Sequence, residues 1–243
     1  MNKSIRIATL LAFAGATLLL QGCFHNDDDN ANNPDAGNET TTAPTKIYTV
    51  TVSNLTNNQE FSAVGAVLHS SGYHAFTLGS AADEGLERLA EGGDNSIFLN
   101  TAKANSKVMD TVSGVGHIRV GDSETLTTEG FDDDIRLTLA TMPINTNDAF
   151  VALNAINISD LASGESMVLH ARAYDAGTEG NNETSMEVPG QGGEGFNAAR
   201  NDRDFVAVHA GIVGMDDGLT GSALNQSHRF DNPLAKIVVT RTQ

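Results

Sequence analysis

The stretch Lys46–Asn54, KIYTVTVSN, carries the pattern that decides the fold. Tyr48, Val50 and Val52 alternate with polar residues, and a period of two is typical of a strand with one buried face. The same kind of pattern, punctuated by Gly, Asn and Asp, recurs in further segments and predicts more strands. These segments are 60–69, 134–142, 148–156, 165–174, 204–212 and 235–243.

One segment departs from this pattern and predicts a helix. In SAADEGLERLAEGGD, residues 80–94, Leu86 and Leu89 are three apart, acids lie near the start, and Gly92 and Gly93 follow. Such a segment is typical of a short helix with a glycine stop. Many strands, one or two short helices and no βαβ alternation predict an all-β fold, an antiparallel β-sandwich spanning 46–243.

The N-terminal segment Met1–Gly22 predicts export. It has a positive start at Lys3 and Arg6, followed by an apolar run that is too short and wrongly flanked for a membrane-spanning helix. We therefore expect a lipoprotein signal peptide over 1–22. The residues LQGC at 20–23 resemble a bacterial lipobox, which implies that Cys23 is acylated and becomes the first mature residue. The alternative is an ordinary cleaved signal followed by a stray cysteine.

Residues 23–45 contain almost no large apolar side chain and are predicted to form a disordered acidic tether. Phe24 stands where such lipoproteins often carry Asp for inner-membrane retention, so the resemblance favours the outer membrane. The chain carries a formal net charge of -17, which argues against nucleic acid and against electrostatic docking on anionic lipid. Membrane attachment is therefore expected through the acyl chains of Cys23 alone.

The sequence lacks the common catalytic motifs. It contains no G-x-S-x-G, no H-E-x-x-H, no G-x-G-x-x-G before a helix and no Walker loop, so we expect a protein that is not an enzyme. His117, His170 and His209 lie in strand-like runs and are predicted to be core or rim histidines. His69 and His74 are five residues apart. A Ser/His/Asp site assembled from residues distant in sequence would make the protein a hydrolase, and this function stays an alternative.

The carboxylates of YDAGTEGNNE, residues 174–183, suggest a cation site. Asp175 and Glu179 follow a predicted strand, and the glycine between them allows both carboxylates and a carbonyl to converge. Oxygen ligands of this kind suit calcium, and Asp148 at the start of another strand offers one more. Two other acidic clusters look as good on composition, so the residues alone leave the place of the site open. These clusters lie at 131–135 and 214–218.

Several longer segments form an ordered set. They are YTVTVSNLTNNQEFS (48–62), FTLGSAADEGLERLAEGGD (76–94), MPINTNDAFVALNAI (142–156), ARAYDAGTEGNNE (171–183), FVAVHAGIVG (205–214) and FDNPLAKIVVTR (230–241). Together they resemble the spondin N-terminal domain in its bacterial form. The resemblance covers nearly all of the predicted domain and implies an antiparallel β-sandwich.

The resemblance also implies a ligand set for calcium. In animal extracellular-matrix members of the family, one acid that opens a strand and two acids in a D-A-G-T-D loop hold the ion. By that match the calcium ligands here are Asp148, Asp175 and Glu179, with Glu179 in the place of an Asp. The disulfide cysteines of the animal domain are missing, since Cys23 is the only cysteine.

These expectations combine into a lipid-anchored binding or adhesion module of the cell envelope with a structural calcium ion. Its partner would be a protein or glycan that the sequence does not identify, and its orientation would be periplasmic or surface-facing. One alternative is a periplasmic accessory or stress-related lipoprotein without an adhesive role. The hydrolase is the other.

Overall fold

A computed structural model describes residues 44–243. The predicted signal segment, Cys23 and nearly all of the predicted tether lie outside the described residues. The strands and α-helices of the described part follow in chain order. They are β1 (Lys46–Asn54), β2 (Gly65–His69), α1 (Glu84–Gly92), α2 (Ser96–Lys103), β3 (Val108–Ser113), β4 (Ser123–Gly130), β5 (Arg136–Thr141), β6 (Ala149–Asn157), β7 (Ser166–Asp175), β8 (Ala207–Val208) and β9 (Ala235–Arg241).

The strands form one antiparallel sheet that nearly closes on itself. Their order is β3-β2-β5-β6-β7-β9-β1-β4, and β8 pairs with β7. Strand β7 joins the two halves, because its C-terminal end pairs with β6 and its N-terminal part pairs with β9. The end strands β3 and β4 approach each other, and the Glu129 amide donates to Asp110 Oδ2 at 2.9 Å. The predicted all-β class is confirmed, and the two expected layers are continuous through β7 in a barrel-like sheet.

The interior of the sheet is apolar, and β1 shows why. Tyr48, Val50 and Val52 are fully buried, whereas Thr49 and Thr51 are more exposed, as the period of two predicts. Burying a large apolar side chain contributes about 1.5–3 kcal/mol. Inward residues of β2, β5, β6, β7 and β9 complete the same core.

Both α-helices cover an outer face of the sheet and form a second core with it. Helix α1 begins after Asp83, whose side chain accepts from the Leu86 amide at 2.8 Å, and it ends at Gly93, which has a φ of 70°. This confirms the predicted helix and its glycine stop. Leu86 and Leu89 pack into the second core. Within residues 44–243 no helix is both long and apolar enough to span a membrane.

Three elements differ from the sequence pattern. Strand β4, SETLTTEG, has few apolar residues, and it is held in place by pairing with β1 along its whole length. Strand β3 at the other end of the sheet was also not singled out by its residues, because its side chains are only partly buried. The predicted strand 204–212 is reduced to the two residues of β8. In each case pairing with a neighbouring strand, rather than the periodicity of apolar residues, decides which residues form the strand.

Candidate functional site

Strands β6 and β7 bring Asp148 and Asp175 together. Asp148 directly precedes β6, Asp175 is the last residue of β7, and Ala149 pairs with Asp175 across the two strands. The Ala176 amide donates to the Asp148 carbonyl at 3.0 Å, which extends the pairing by one residue. Two residues that are distant in sequence therefore lie side by side at one end of the sheet.

The loop after β7 folds back on Asp148 through Gly177. This glycine has a φ of 73°, and a Cβ at its position would collide with the main chain of Phe205. Its amide donates to Asp175 Oδ1 at 2.9 Å. The amides of Thr178 and Glu179 then donate to Asp148 Oδ2 at 2.7 and 3.1 Å. These contacts bring the Asp148 and Asp175 carboxylates and the backbone amide of Glu179 to one glycine turn.

All three carboxylates are buried, and two of them carry an oxygen without a partner. Asp148, Asp175 and Glu179 are 0%, 1% and 3% exposed. In the described part of the chain, Asp148 Oδ1 and Glu179 Oε2 accept no hydrogen bond. A buried carboxylate oxygen without a donor or a cation is costly, so this place lacks positive charge.

Burial and mutual repulsion raise the pKa of the carboxyl groups. Burial, and then the charge of Asp175, raises the pKa of Asp148 to about 7. Burial, and then the charges of Glu91 and Asp148, raises the pKa of Glu179 to about 8. Burial also raises the pKa of Glu183 to about 7, with further increases from Asp148 and Asp175. Each group therefore resists ionising unless a cation is near.

Asp175 differs from its neighbours because it has an internal cation. Arg203 Nη2 lies 2.6 Å from Asp175 Oδ2, and the Asn181 side chain donates to the same oxygen at 2.8 Å. The bond to Asp175 raises the pKa of Arg203. Among residues 44–243, no three His, Cys, Asp or Glu side chains stand together in an arrangement ready to hold a metal ion.

The structure adds two carboxylates that sequence reasoning did not select. Glu183 is 1% exposed, and its Oε2 has no hydrogen-bond partner within residues 44–243. It ends the same acidic stretch, so its position was a usable signal. Glu91 lies on helix α1, and its charge raises the pKa of Glu179. Only the packing of α1 against the loop brings Glu91 there, and no local sequence signal marks it.

The other two acidic clusters lie on the surface. Asp133 is fully exposed and meets Lys46 at 3.2 Å. Asp217 pairs with Arg229 at 2.7 Å and accepts from the Gly214 amide at 3.0 Å. Their charges are solvated or paired, whereas Asp148, Glu179 and Glu183 each keep a buried oxygen without a partner among residues 44–243.

The histidines are placed separately. His69 is buried, with hydrogen bonds to the Ser70 carbonyl at 2.8 Å and the Thr138 hydroxyl at 2.9 Å. His209 is buried and accepts from the Gly211 amide at 3.0 Å.

His74, His117 and His170 are exposed, and His117 lies 3.6 Å from Glu60. In the described part of the chain, no histidine ring is hydrogen-bonded to a serine hydroxyl.

Comparison with protein-family models shows which family the chain resembles. The Spondin_N model matches residues 44–198, more than half of the 243 residues. The matched range contains both α-helices, strands β1 to β7 and the acids Asp148, Asp175 and Glu179. The segments 205–214 and 230–241, which also carried the resemblance, lie beyond it. No curated protein matches the chain.

Proposed function

Because the chain belongs to the Spondin_N family, whose domain indicates an extracellular, adhesion-type module, we propose that it is a non-catalytic binding module stabilised by one calcium ion. The ion would be held by Asp148, Asp175 and Glu179 at the end of the sheet where β6 begins and β7 ends. The module would serve binding or adhesion at the cell envelope.

The observation that carries this proposal is the group of buried carboxylates with too little positive charge. Asp148 Oδ1 and Glu179 Oε2 are buried and have no partner among the described residues. The raised pKa values of Asp148 and Glu179 reflect the same lack of neighbouring positive charge. Calcium prefers carboxylate and carbonyl oxygens, so the donor set fits the ion.

Each acid would contribute differently. Asp148 is oriented by the amides of Thr178 and Glu179, which leaves its other oxygen for the ion. Glu179 offers an oxygen on a longer arm than the Asp of the animal loop. Asp175 would share its charge between Arg203 and the ion. When bound, calcium supplies the positive charge that the repelling carboxylates lack.

The competing arrangement is a loop closed without metal, and Arg203 supports it. Its guanidinium already neutralises Asp175 and removes one carboxylate from the repelling set. It does not reach the free oxygens of Asp148 and Glu179, which accept nothing within residues 44–243. We therefore favour the calcium-bound form over the arginine-closed one.

The envelope location of the module rests on the N-terminal sequence. Acylated Cys23 would anchor the module in the outer membrane, and residues 23–45 would act as a tether. Protease treatment of whole cells tests the adhesive role. Rapid loss of the module is expected if it faces outward, whereas full protection would favour the periplasmic accessory role.

Thermal unfolding of the purified protein in EDTA and in excess calcium tests the metal site. At a calcium concentration of about 100 times Kd, binding adds about 2.7 kcal/mol to the unfolding free energy. For a chain of this size we expect Tm to rise by roughly 5–10 °C. Glu179→Gln should reduce this rise, and Asp160→Asn, an exposed acid outside the cluster, should keep it in full. An unchanged Tm in the native protein, or an equal rise in Asp175→Asn, would contradict the site.

A further inference from the structure

Strands β6 and β7 separate soon after the acid site, and a groove lies over the split. They pair only from Ala149–Asp175 to Ala152–Arg172, after which β7 continues along β9. Two adjoining surface hollows of about 350 and 470 Å³ share His170 and Arg172 in their walls. These volumes lie in the range of small-ligand pockets. We call the two hollows together the β7 groove.

The β7 groove presents positive charge in a very acidic chain. His170 and Arg172 are exposed on the same face of β7, two residues apart, and Lys236 of β9 is the register partner of His170. Directly opposed residues have Cβ atoms about 4.5–5.5 Å apart, so the basic side chains form one cluster. Of the described residues, those that line the groove include no Asp or Glu.

These basic side chains are not used inside the molecule. Within residues 44–243, the side chains of Arg172 and Lys236 make no ion pair or hydrogen bond, in contrast to most of the other cations. Ion pairs with Asp or Glu engage Lys46, Arg88, Arg136, Arg200, Arg203 and Arg229. An unpaired cluster of this kind, in a chain with a net charge of -17, is suited to an anionic partner.

An aromatic wall stands beside the cations. Tyr174 stacks on Phe150 with ring centroids 5.5 Å apart, and Phe76 lies 4.9 Å from Tyr174. Asn154 fixes the segment of Phe76, because it accepts from the Ala75 amide at 3.0 Å and donates to the Phe76 carbonyl at 2.8 Å. The wall is therefore held in place before any ligand arrives, which lowers the entropic cost of binding.

The same outer face continues as rows of hydroxyl groups. Beyond His170 and Lys236, the cross-strand row passes to Ser53 and Ser123. Neighbouring rows contain further hydroxyl contacts, Thr51 with Thr125 at 2.8 Å and Ser166 with Thr240 at 2.7 Å. Cations, aromatic rings and hydroxyls thus share one continuous face.

We infer that this face binds a segment of an acidic polysaccharide, a sugar chain that bears carboxylate or sulfate groups. Arg172 and Lys236 pair with the acidic groups, and a guanidinium matches a carboxylate or sulfate with two parallel hydrogen bonds. Tyr174 and Phe76 contact the apolar faces of the sugar rings, and the serine and threonine hydroxyls face the sugar hydroxyls. Lining residues stand on both sides of β7, Asn154 in β6 and Asn232 before β9, so the groove extends across the strand, which favours a sugar chain over an added peptide strand. This inference names the ligand class of the proposed binding role and rests on it, but it does not require calcium.

Calorimetric titration of the purified full chain tests the inference. The probes are a galacturonate hexamer, a heparin hexasaccharide and a neutral maltohexaose, in EDTA because calcium cross-links galacturonate. We expect one or both acidic probes to bind, the neutral probe to bind at least about tenfold more weakly, and about 0.5 M salt to weaken the acidic complex. Binding of galacturonate would show that a carboxylate is sufficient, whereas binding of heparin alone would assign the sulfate as the recognised group.

A charge-matched pair of variants locates the site. Arg172→Gln with Lys236→Gln should weaken binding by about tenfold or more, because charge-assisted contacts are lost. Lys103→Gln with Arg119→Gln removes two exposed charges outside the groove and should change binding by less than about twofold. Equal losses in the two pairs would overturn the inference. Binding of hexaglutamate or of phosphatidylglycerol vesicles without binding of either acidic sugar would do so as well.

The same samples separate this inference from the calcium proposal. Melting in calcium and in EDTA reports the acid site, and it also shows that both double variants are folded. Sugar binding without a calcium-induced rise in Tm would refute the calcium site and leave the groove in place. A calcium-induced rise without binding of any acidic sugar would refute the groove and leave the calcium site in place.

Discussion

Two buried acidic places near helix α1 differ in how their charge is balanced. Glu87 is 4% exposed, and Arg200 donates to its two oxygens at 3.0 and 2.7 Å. Asp148 and Glu179 are buried to the same degree, but each keeps an oxygen without a partner in the described part of the chain. The difference teaches that burial alone does not decide whether a carboxylate is neutralised, because the supply of internal positive charge decides it.

The largest effect on stability is expected from removing Arg200, the cation that neutralises buried Glu87. Arg200→Ala leaves buried Glu87 unpaired, and we expect the unfolding free energy to fall by about 3 kcal/mol, with or without calcium. The control Arg229→Ala breaks a more exposed pair with Asp217 and should cost about 1 kcal/mol or less. Urea unfolding followed by circular dichroism measures both. A loss for Arg200→Ala no greater than that of the control would show that Glu87 does not depend on its partner.

The opposite response of stability is expected when the charge of Asp148 is removed. Asp148→Asn keeps an acceptor for the loop amides but removes a repelled charge, so the protein in EDTA at pH 8 should be no less stable than the native chain. The calcium-induced stabilisation of about 2–3 kcal/mol should disappear. Calorimetric melts in EDTA and in calcium measure the two effects. A strongly destabilised variant in EDTA would mean that the carboxylate is already balanced inside the protein.

The turn at Gly177, which folds the loop back on Asp148, can be disrupted by substitution. Gly177→Ala combines a positive φ with a collision against the Phe205 main chain, and we expect a cost of about 2 kcal/mol and weaker calcium binding. Gly164→Ala is the matched control, because Gly164 also has a positive φ but nothing lies within 4 Å of its added Cβ. Its cost should stay near 1 kcal/mol. Equal costs, measured by urea unfolding, would remove the role assigned to the close approach at Phe205.

The smallest expected effect is a change of stability with pH in EDTA. The pKa of Asp148 is about 7 and that of Glu179 about 8 in the folded protein, above their ordinary values of 3.8 and 4.5. The folded state therefore holds protons that the unfolded chain releases, and stability falls as pH rises through this window. One extra proton in the folded state corresponds to about 1.4 kcal/mol between pH 6.5 and 7.5. Melting curves across this range measure it, and saturating calcium should flatten the fall. A rise of stability with pH in EDTA would contradict the raised pKa values.

Much of the fold was readable from the residues. Strand β1 was predicted with the bounds that the structure shows, and helix α1 was recognised from its leucines and glycine stop. The polar strand β4 was not, because its pairing with β1 rather than its own apolar content defines it. The same limit applies to β8, where only two residues of an apolar-rich segment reach the sheet.

The residues of the candidate site likewise divide into those that the sequence indicated and those that only the fold brings together. Asp175 and Glu179 were visible as acids around a glycine and Asp148 as an acid at a strand start, and the resemblance favoured these three over the other acidic clusters. Glu91 and Arg203 were not visible, because they come from a helix and a distant loop that meet the site only in the folded chain.

The sequence by itself determined the alternation of buried and exposed residues, the helix stop and the acidic loop, because these depend on neighbours along the chain. The tertiary structure decided which carboxylates are neutralised and which are not. It pairs Glu87 with Arg200 and Asp175 with Arg203, and it leaves oxygens of Asp148 and Glu179 without a partner among the described residues. It also decided the β7 groove, since the separation of β6 from β7 depends on where β9 takes over the pairing. The reason in each case is that charge balance and strand divergence arise from contacts between residues far apart in the chain.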